Sequence, residues 1–119
     1  IKAIAPSAPF LNDYRDYFSL VHWPADPILA AAREKGIGED DLYRTLSYFD
    51  VKNFTDRITC PVLMAIGLQD PVCPPHTNFA GYNMINSEKR WICYPSAGHN
   101  VWEQQGWQKE KDEFFRRFI

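Results

Sequence analysis

The most continuous apolar stretch of the chain is Pro61 to Ile66, which ends at Gly67. An uninterrupted apolar run of this length, closed by a glycine, predicts a buried strand. The proline stands at the first position of the run, where its missing N–H does no harm. A second short run, Arg90 to Tyr94, is closed by Pro95 and predicts another strand.

Between these two strands, the residues that follow Pro74 and Pro75 predict a helix from about His76 to Ile85. A crossover of this length makes the two strands parallel and their connection right-handed, so both carboxyl ends lie at the same edge of the sheet. Asp70 and His99 each follow one of these ends by a few residues. If the strands are neighbours, the two loops bring a carboxylate against an imidazole, which is the acid and base part of a hydrolytic triad.

Weaker patterns predict the remaining elements. Asp26 and Pro27 form a good helix start, and the aromatic side chains near the carboxyl terminus recur at helical spacing. The helices between a predicted strand at the start of the chain and the strand at Pro61–Ile66 form an insertion of the kind that often roofs a pocket. The predicted elements are a strand at Ile1–Ala5, helices at Asn12–Leu20, from Asp26 to Gly36 and from Glu39 to Phe49, a turn at Val51–Phe54 capped by Asp50, and a closing amphipathic helix at Trp107–Ile119.

The predicted strand Ile1–Ala5 begins at the first residue of the sequence, with no initiator methionine. We therefore expect residues 1–119 to be a partial α/β domain, the later part of something longer. Ser7 to Leu11 would then be a loop at the same edge as Asp70 and His99. On topology alone, Pro9 and Phe10 of this loop are candidate substrate-binding residues that line an acyl pocket.

Composition restricts the class of protein. The 119 residues carry a formal net charge of −2, are 45% hydrophobic and have dispersed charges, which indicates a globular core and argues against a nucleic-acid or membrane partner. No apolar run is long enough for a membrane span, and the amino-terminal residues lack the features of a signal peptide. Three cysteines without metal-ligand spacing predict reduced thiols, and with them a cytoplasmic location.

Arg44 to Pro75, RTLSYFDVKNFTDRITCPVLMAIGLQDPVCPP, closely resembles the carboxyl-terminal part of the acetyl xylan esterase and cephalosporin-C deacetylase family, carbohydrate esterase family seven. The opening IKAIAPSAPFLNDY and the later YPSAGHN are also similar to that family, so the resemblance covers nearly the whole chain. It implies the carboxyl-terminal portion of an α/β-hydrolase fold, with about three parallel strands, flanking helices and a helical insertion.

The resemblance places the triad acid at Asp70 and the triad base at His99. The nucleophilic serine of this fold lies on a Gly-x-Ser-x-Gly turn that comes before the acid and the base, and no such motif occurs in this chain. The serines present, Ser7, Ser19, Ser47, Ser87 and Ser96, lack its glycine frame. The nucleophile is therefore expected in an absent amino-terminal half, and the isolated chain is expected to be inactive.

By resemblance, the reaction is serine-dependent removal of acetyl groups from small esters such as acetylated xylo-oligosaccharides or cephalosporin C, with no metal or cofactor. The alternative is a non-catalytic fragment or assembly piece. In either case we expect the chain to self-associate or to pair with the missing half through the strand at Ile1–Ala5. His22 and His76 lie away from the matched catalytic positions and are expected to be surface or packing residues. Trp91, Tyr94, Trp102 and Trp107 are expected to be core residues rather than a sugar-binding platform.

Overall fold

A computed structural model describes all residues from 1 to 119, and it contains a small parallel sheet with helices around it. None of the helices is both long and apolar enough to cross a membrane. In chain order the elements are α1 (Tyr14–Leu20), α2 (Ala25–Glu34), α3 (Glu39–Leu46), a 3-10 helix (Val51–Arg57), β1 (Val62–Gly67), α4 (Pro75–Met84), β2 (Lys89–Tyr94), a second 3-10 helix (Val101–Glu103) and α5 (Trp107–Arg116).

The predicted strand-helix-strand unit is present. Strands β1 and β2 pair in parallel, in a register that runs from Val62 opposite Lys89 to Gly67 opposite Tyr94, and α4 connects them. Every residue of β1 is buried, as its unbroken apolar pattern predicted. Leu63 and Ala65 lie in one apolar cluster with residues of α5, while the alternate side chains of β1 lie in another cluster with residues of α4. β1 is therefore the centre of the structure.

The prediction of a regular strand at Ile1–Ala5 is wrong. This segment and the residues after it run parallel to β1 but make only two separate bridges, Ile4 with Val62 and, beyond the predicted strand, Ser7 with Ala65. The reason is Pro6, whose carbonyl accepts a hydrogen bond from the Ala65 N–H at 3.0 Å but which has no N–H to return to β1. The sheet thus has two strands with a bridged flanking segment, rather than three strands.

Helices α1 to α3 form the predicted insertion around their own apolar cluster, whose buried members are Tyr14, Tyr17, Phe18, Val21 and Ala25. Helix α2 begins at Ala25, so Asp26 does not cap it as predicted. The Asp26 carboxylate instead lies 3.1 Å from Nδ1 of His22, and both side chains are on the surface. Helix α3 ends at Leu46 and α5 at Arg116, each three residues earlier than predicted.

Asp50 joins the insertion to the segment that leads into β1. Its Oδ1 accepts the N–H of Lys52 at 3.0 Å, which is the predicted cap of the first 3-10 helix. The same carboxylate also accepts the N–H groups of Asp13 and Tyr14 at 2.9 Å each, at the start of α1. Because the side chain is buried, these three bonds fix the insertion against the body of the fold.

The aromatic residues near the carboxyl terminus divide into two groups. Trp107, the first residue of α5, is almost completely buried, as predicted. Trp91 and Trp102, however, are 45% and 48% exposed, so the prediction that they belong to the core is wrong. Trp91 lies on β2, which has no strand on its outer side, and Trp102 lies in the short 3-10 helix after His99.

Candidate acid–base site

Asp70 and His99 meet at the carboxyl-terminal edge of the sheet. Asp70 follows β1, His99 follows β2, and Nδ1 of His99 lies 3.0 Å from Oδ2 of Asp70. The Asp70 side chain is 1% exposed, whereas that of His99 is 34% exposed. The contact that the parallel topology predicted is therefore present, with the carboxylate buried and one side of the imidazole open to solvent.

The short turn after Asp70 provides further donors to its carboxylate. Oδ1 accepts the backbone N–H groups of Val72 and Cys73, both at 2.8 Å. Oδ2 is thus left for His99, and an ionised carboxylate there requires Nδ1 to be the donor. In the neutral ring with its proton on Nδ1, Nε2 carries the lone pair. Nε2 makes no hydrogen bond within the chain, so it is free to accept a proton.

Gly67, at the end of β1, lets the loop that carries His99 approach closely. A Cβ at this position would lie 2.4 Å from the carbonyl oxygen of Gly98 and 2.7 Å from that of Ala97. The N–H of Gln69 donates to the Ala97 oxygen at 2.9 Å, and the N–H of Leu68 to Tyr94 at 3.2 Å. The loop that carries Asp70 and the loop that carries His99 are thereby joined. Sequence reasoning used Gly67 only as a strand terminator and did not find this contact.

Trp102 is a second neighbour of the pair that sequence reasoning did not assign to the site. Its ring meets the His99 ring edge to face, with centroids 5.4 Å apart and planes at 85°. The spacing of three residues after His99, within a short helical turn, was the only signal in the sequence. The contact restricts the orientation of the imidazole while half of the indole stays exposed.

The structure does not join Pro9 and Phe10 to the acid–base pair by a hydrogen bond or a ring contact. The Pro9 carbonyl accepts the Nδ2–H of Asn12 at 3.3 Å, and Pro9 lines a mainly apolar cavity of about 160 Å³. The Phe10 ring is partly exposed, stacks on Trp23 at 6.3 Å and meets Tyr17 edge on at 5.8 Å. A role for both residues in substrate binding stays a prediction.

Asp70, His99 and the buried Cys73 each place one atom that could ligate a metal within 4.8 Å of the others. The donor set suits a cation poorly. Both oxygens of Asp70 already accept N–H groups, and burial, reinforced by the nearby Asp70 carboxylate, raises the pKa of the Cys73 thiol to about 12. A neutral thiol is a weak metal ligand. The three groups are better described as a hydrogen-bonded acid–base pair beside a protonated cysteine.

Alkaline pH is expected to destabilise the fold. Burial is the main cause that raises the pKa of seven groups, to about 12 for Tyr17 and Cys73; the others are Tyr14, Tyr43, Tyr82, Tyr94 and Cys93. In the unfolded chain thiols ionise near pH 9 and phenols near pH 10, whereas the folded forms of Tyr17 and Cys73 stay neutral up to about pH 12. Their contribution is complete below pH 9 and is lost as pH rises to 12.

We expect the midpoint of urea unfolding to fall across this interval, and to fall less steeply in Cys73→Ala. Urea titrations at a series of pH values check this, with Cys60→Ala as the control, because the Cys60 thiol lies outside the buried core. A midpoint that is constant above pH 9 would contradict the expectation.

Comparison with known proteins supports the assignment of the fold and the family. The family profile described as acetyl xylan esterase (AXE1) matches residues 1–117. Over 67 residues the chain is 39% identical to acetyl esterase Axe7A of Xylanibacter ruminicola, a match that covers 56% of this chain and 15% of that protein.

Solved structures agree with this result. Acetyl xylan esterase 1 from Thermoanaerobacterium sp. JW/SL YS485 superposes with a TM-score of 0.87 at 34% identity, over 98% of this chain and 38% of that one. The acetyl xylan esterase from Paenibacillus sp. R4 gives 0.85 at 35% identity, over 99% and 38%. The acylaminoacyl peptidase of Pyrococcus horikoshii superposes with a TM-score of 0.66 at 19% identity, over 100% of this chain and 20% of the peptidase. At this identity the similarity shows the fold alone.

The chain therefore spans well under half the length of each of these relatives. Its architecture, a small parallel sheet with helices on it, is a partial α/β-hydrolase fold, as the resemblance implied. By the match over residues 1–117, this chain belongs to the acetyl xylan esterase family.

Proposed function

We propose that this chain carries the general base, His99, and the orienting acid, Asp70, of a serine-type acetyl esterase. The observation that carries the proposal is the 3.0 Å contact between Nδ1 of His99 and a carboxylate that is almost fully buried. A buried carboxylate that fixes one imidazole nitrogen and leaves the other free is the arrangement needed for general base catalysis.

In the proposed reaction, Nε2 of His99 removes the proton from a serine hydroxyl as its oxygen attacks the acetyl carbonyl carbon. The imidazolium that forms is stabilised by the Asp70 carboxylate. His99 then returns the proton to the alkoxide of the sugar or other alcohol as the C–O bond breaks. Water repeats the sequence on the acetyl-serine, so that acetate leaves and the serine hydroxyl is regenerated.

We propose that the nucleophile comes from outside these 119 residues. Three of the serine hydroxyls already donate to backbone carbonyls of their own neighbourhood: Ser19 to Asp16, Ser47 to Arg44 and Ser87 to Cys60. Ser7 and Ser96 lack the glycine frame of a nucleophile turn. The bridged segment at Ile1–Ala5 uses only its inner edge on β1, so its outer edge is where the remaining part of an α/β-hydrolase would pair.

The substrate class that we propose is a small acetylated ester, with acetylated xylo-oligosaccharides as first choice and cephalosporin-type esters as second. The support is the family match and the similarity to two solved structures, both of acetyl xylan esterases. Pro9 and Phe10 are proposed to line the acyl side of the pocket. The exposed faces of Phe10 and Trp23 give that side an aromatic surface.

A chimera tests this function. The part of the Paenibacillus sp. R4 enzyme that this chain does not cover is joined to residues 1–117, and acetate release from acetylated xylan and from p-nitrophenyl acetate is measured. We expect turnover that disappears in His99→Ala and persists in His22→Ala, which removes a fully exposed imidazole. The isolated chain should show no turnover above that of its own His99→Ala variant.

A soluble, folded chimera whose turnover is the same with and without His99 would refute the proposal. It would favour the alternative, in which the chain serves only in assembly. Turnover by the isolated chain that depends on His99 would instead show that the nucleophile lies within these 119 residues.

A further inference from the structure

Tyr17 links the helical insertion to the turn that carries Asp70. It lies on α1 and is fully buried, and its hydroxyl donates to the carbonyl oxygen of Val72 at 2.9 Å. The two residues are 55 positions apart in the sequence. The apolar residues packed against its cluster are Leu11 and residues of α2 and α3, so this hydroxyl is a specific polar contact from the insertion to the site.

Four backbone groups of the turn that receives this contact make hydrogen bonds. The N–H groups of Val72 and Cys73 donate to Oδ1 of Asp70, the Val72 carbonyl accepts from Tyr17, and the Cys73 carbonyl accepts from Nδ2 of Asn78 at 3.0 Å. The Asp70 carboxylate thus binds the two N–H groups of the turn, and Tyr17 and Asn78 bind its two carbonyl oxygens. These hydrogen bonds favour a single geometry of the turn, and Oδ1 of Asn78 is the one side-chain oxygen of the network that is buried without a partner.

The hydroxyl stays a donor over the physiological range. Burial, with smaller contributions from Cys73 and Asp70, raises the pKa of Tyr17 to about 12. The Phe10 ring meets the Tyr17 ring edge on at 5.8 Å and restricts its rotation. Tyr17 therefore presents a neutral, oriented O–H to the Val72 carbonyl.

We propose that Tyr17 is a positioning residue for the acid–base pair, acting through Val72 on the orientation of the Asp70 carboxylate and hence on His99. The inference rests on the proposed function for its meaning in catalysis, but the contact that it describes does not depend on hydrolysis. The helical insertion, on this view, contributes to the geometry of the site through the Tyr17 hydroxyl.

The test is NMR spectroscopy of the full chain, in which the Nδ1–H proton of His99 reports the hydrogen bond to Asp70. In Tyr17→Phe we expect this low-field signal to move upfield or to be lost through exchange with water. Tyr14→Phe is the matched control, because it removes another tyrosine hydroxyl of α1, and this hydroxyl makes no hydrogen bond in the chain. In this variant the signal should be unchanged.

A His99 signal that is the same in folded Tyr17→Phe as in the unmodified chain would overturn the proposal. If Tyr17→Phe does not fold, 3-fluorotyrosine placed at position 17 keeps the ring and hydroxyl but changes its acidity. The His99 signal must then shift, and an unshifted signal would equally overturn the proposal.

In the active chimera, Tyr17→Phe should lower kcat about tenfold with KM unchanged, the scale of one lost buried hydrogen bond. A chimera without activity would refute the proposed function, whereas the NMR result on the chain alone would still decide the role of Tyr17.

Discussion

Replacement of Asp70 by asparagine is expected to lower kcat for acetyl-ester hydrolysis by about 10⁴-fold, the scale known for the acid of a serine triad. The structure gives the reason. The position of Oδ1 is surrounded by the N–H groups of Val72 and Cys73, at 2.8 Å each, so the asparagine must place its carbonyl oxygen there. Its NH₂ group then occupies the position 3.0 Å from Nδ1 of His99.

This orientation reverses the hydrogen bond to the imidazole. An amide NH₂ can only donate, so Nδ1 of His99 becomes the acceptor and the ring proton moves to Nε2. In this tautomer Nε2 has no lone pair to receive the serine proton. The side chain keeps its size and its bonds to the turn, so the fold and the substrate pocket should be retained and KM should change little.

Steady-state kinetics of the chimera on p-nitrophenyl acetate, with Asp112→Asn as the control, measure this effect. Asp112 is an exposed residue of α5 whose carboxylate accepts only from Gln108, so its replacement should leave kcat unchanged. If Asp70→Asn keeps kcat within tenfold of the parent while His99→Ala does not, then the carboxylate does not act by fixing the tautomer.

The meeting of Asp70 and His99 could be anticipated from sequence because it depends on topology rather than on packing. Two apolar runs separated by one helix define parallel neighbours, and each side chain follows one strand end by a few residues. Local rules of capping were also sufficient for Asp50, although they did not indicate its two further bonds to the start of α1.

Features that depend on contacts between distant residues could not be predicted in this way. The exposure of Trp91 and Trp102 follows from the position of β2 at the outside of the sheet and of a short turn after His99, whereas their residue type alone favoured the core. Pro6 interrupts pairing only because its missing N–H faces β1. The bond from Tyr17 to Val72 joins residues 55 positions apart, and no pattern within either segment announces it.

Gly67 is the position where a single methyl group is expected to damage the fold most. An alanine Cβ would lie 2.4 and 2.7 Å from two backbone oxygens of the loop that carries His99, and 2.9 Å from Cγ1 of Val101. These are backbone atoms and a buried side chain, so they cannot rotate away as a flexible surface side chain would. Gly67 itself belongs to a fully buried strand and cannot yield either.

We expect Gly67→Ala to lower the free energy of unfolding by about 3 kcal/mol, the range of severe overpacking. The loop must move outward, and the bond from Gln69 N–H to the Ala97 carbonyl breaks with it. The contact between His99 and Asp70 then lengthens, because their two loops no longer meet. Urea unfolding measures the first effect, and loss of the low-field His99 Nδ1–H signal measures the second.

Gly38→Ala is the matched control, since a Cβ there meets no atom within 4 Å and the backbone is in an ordinary extended conformation. It should change stability by less than about 1 kcal/mol and leave the His99 signal in place. A Gly67→Ala variant as stable as the control, with its His99 signal intact, would mean that the loop can move aside without cost. In that case the close approach of the two loops would not be what holds the imidazole against the carboxylate.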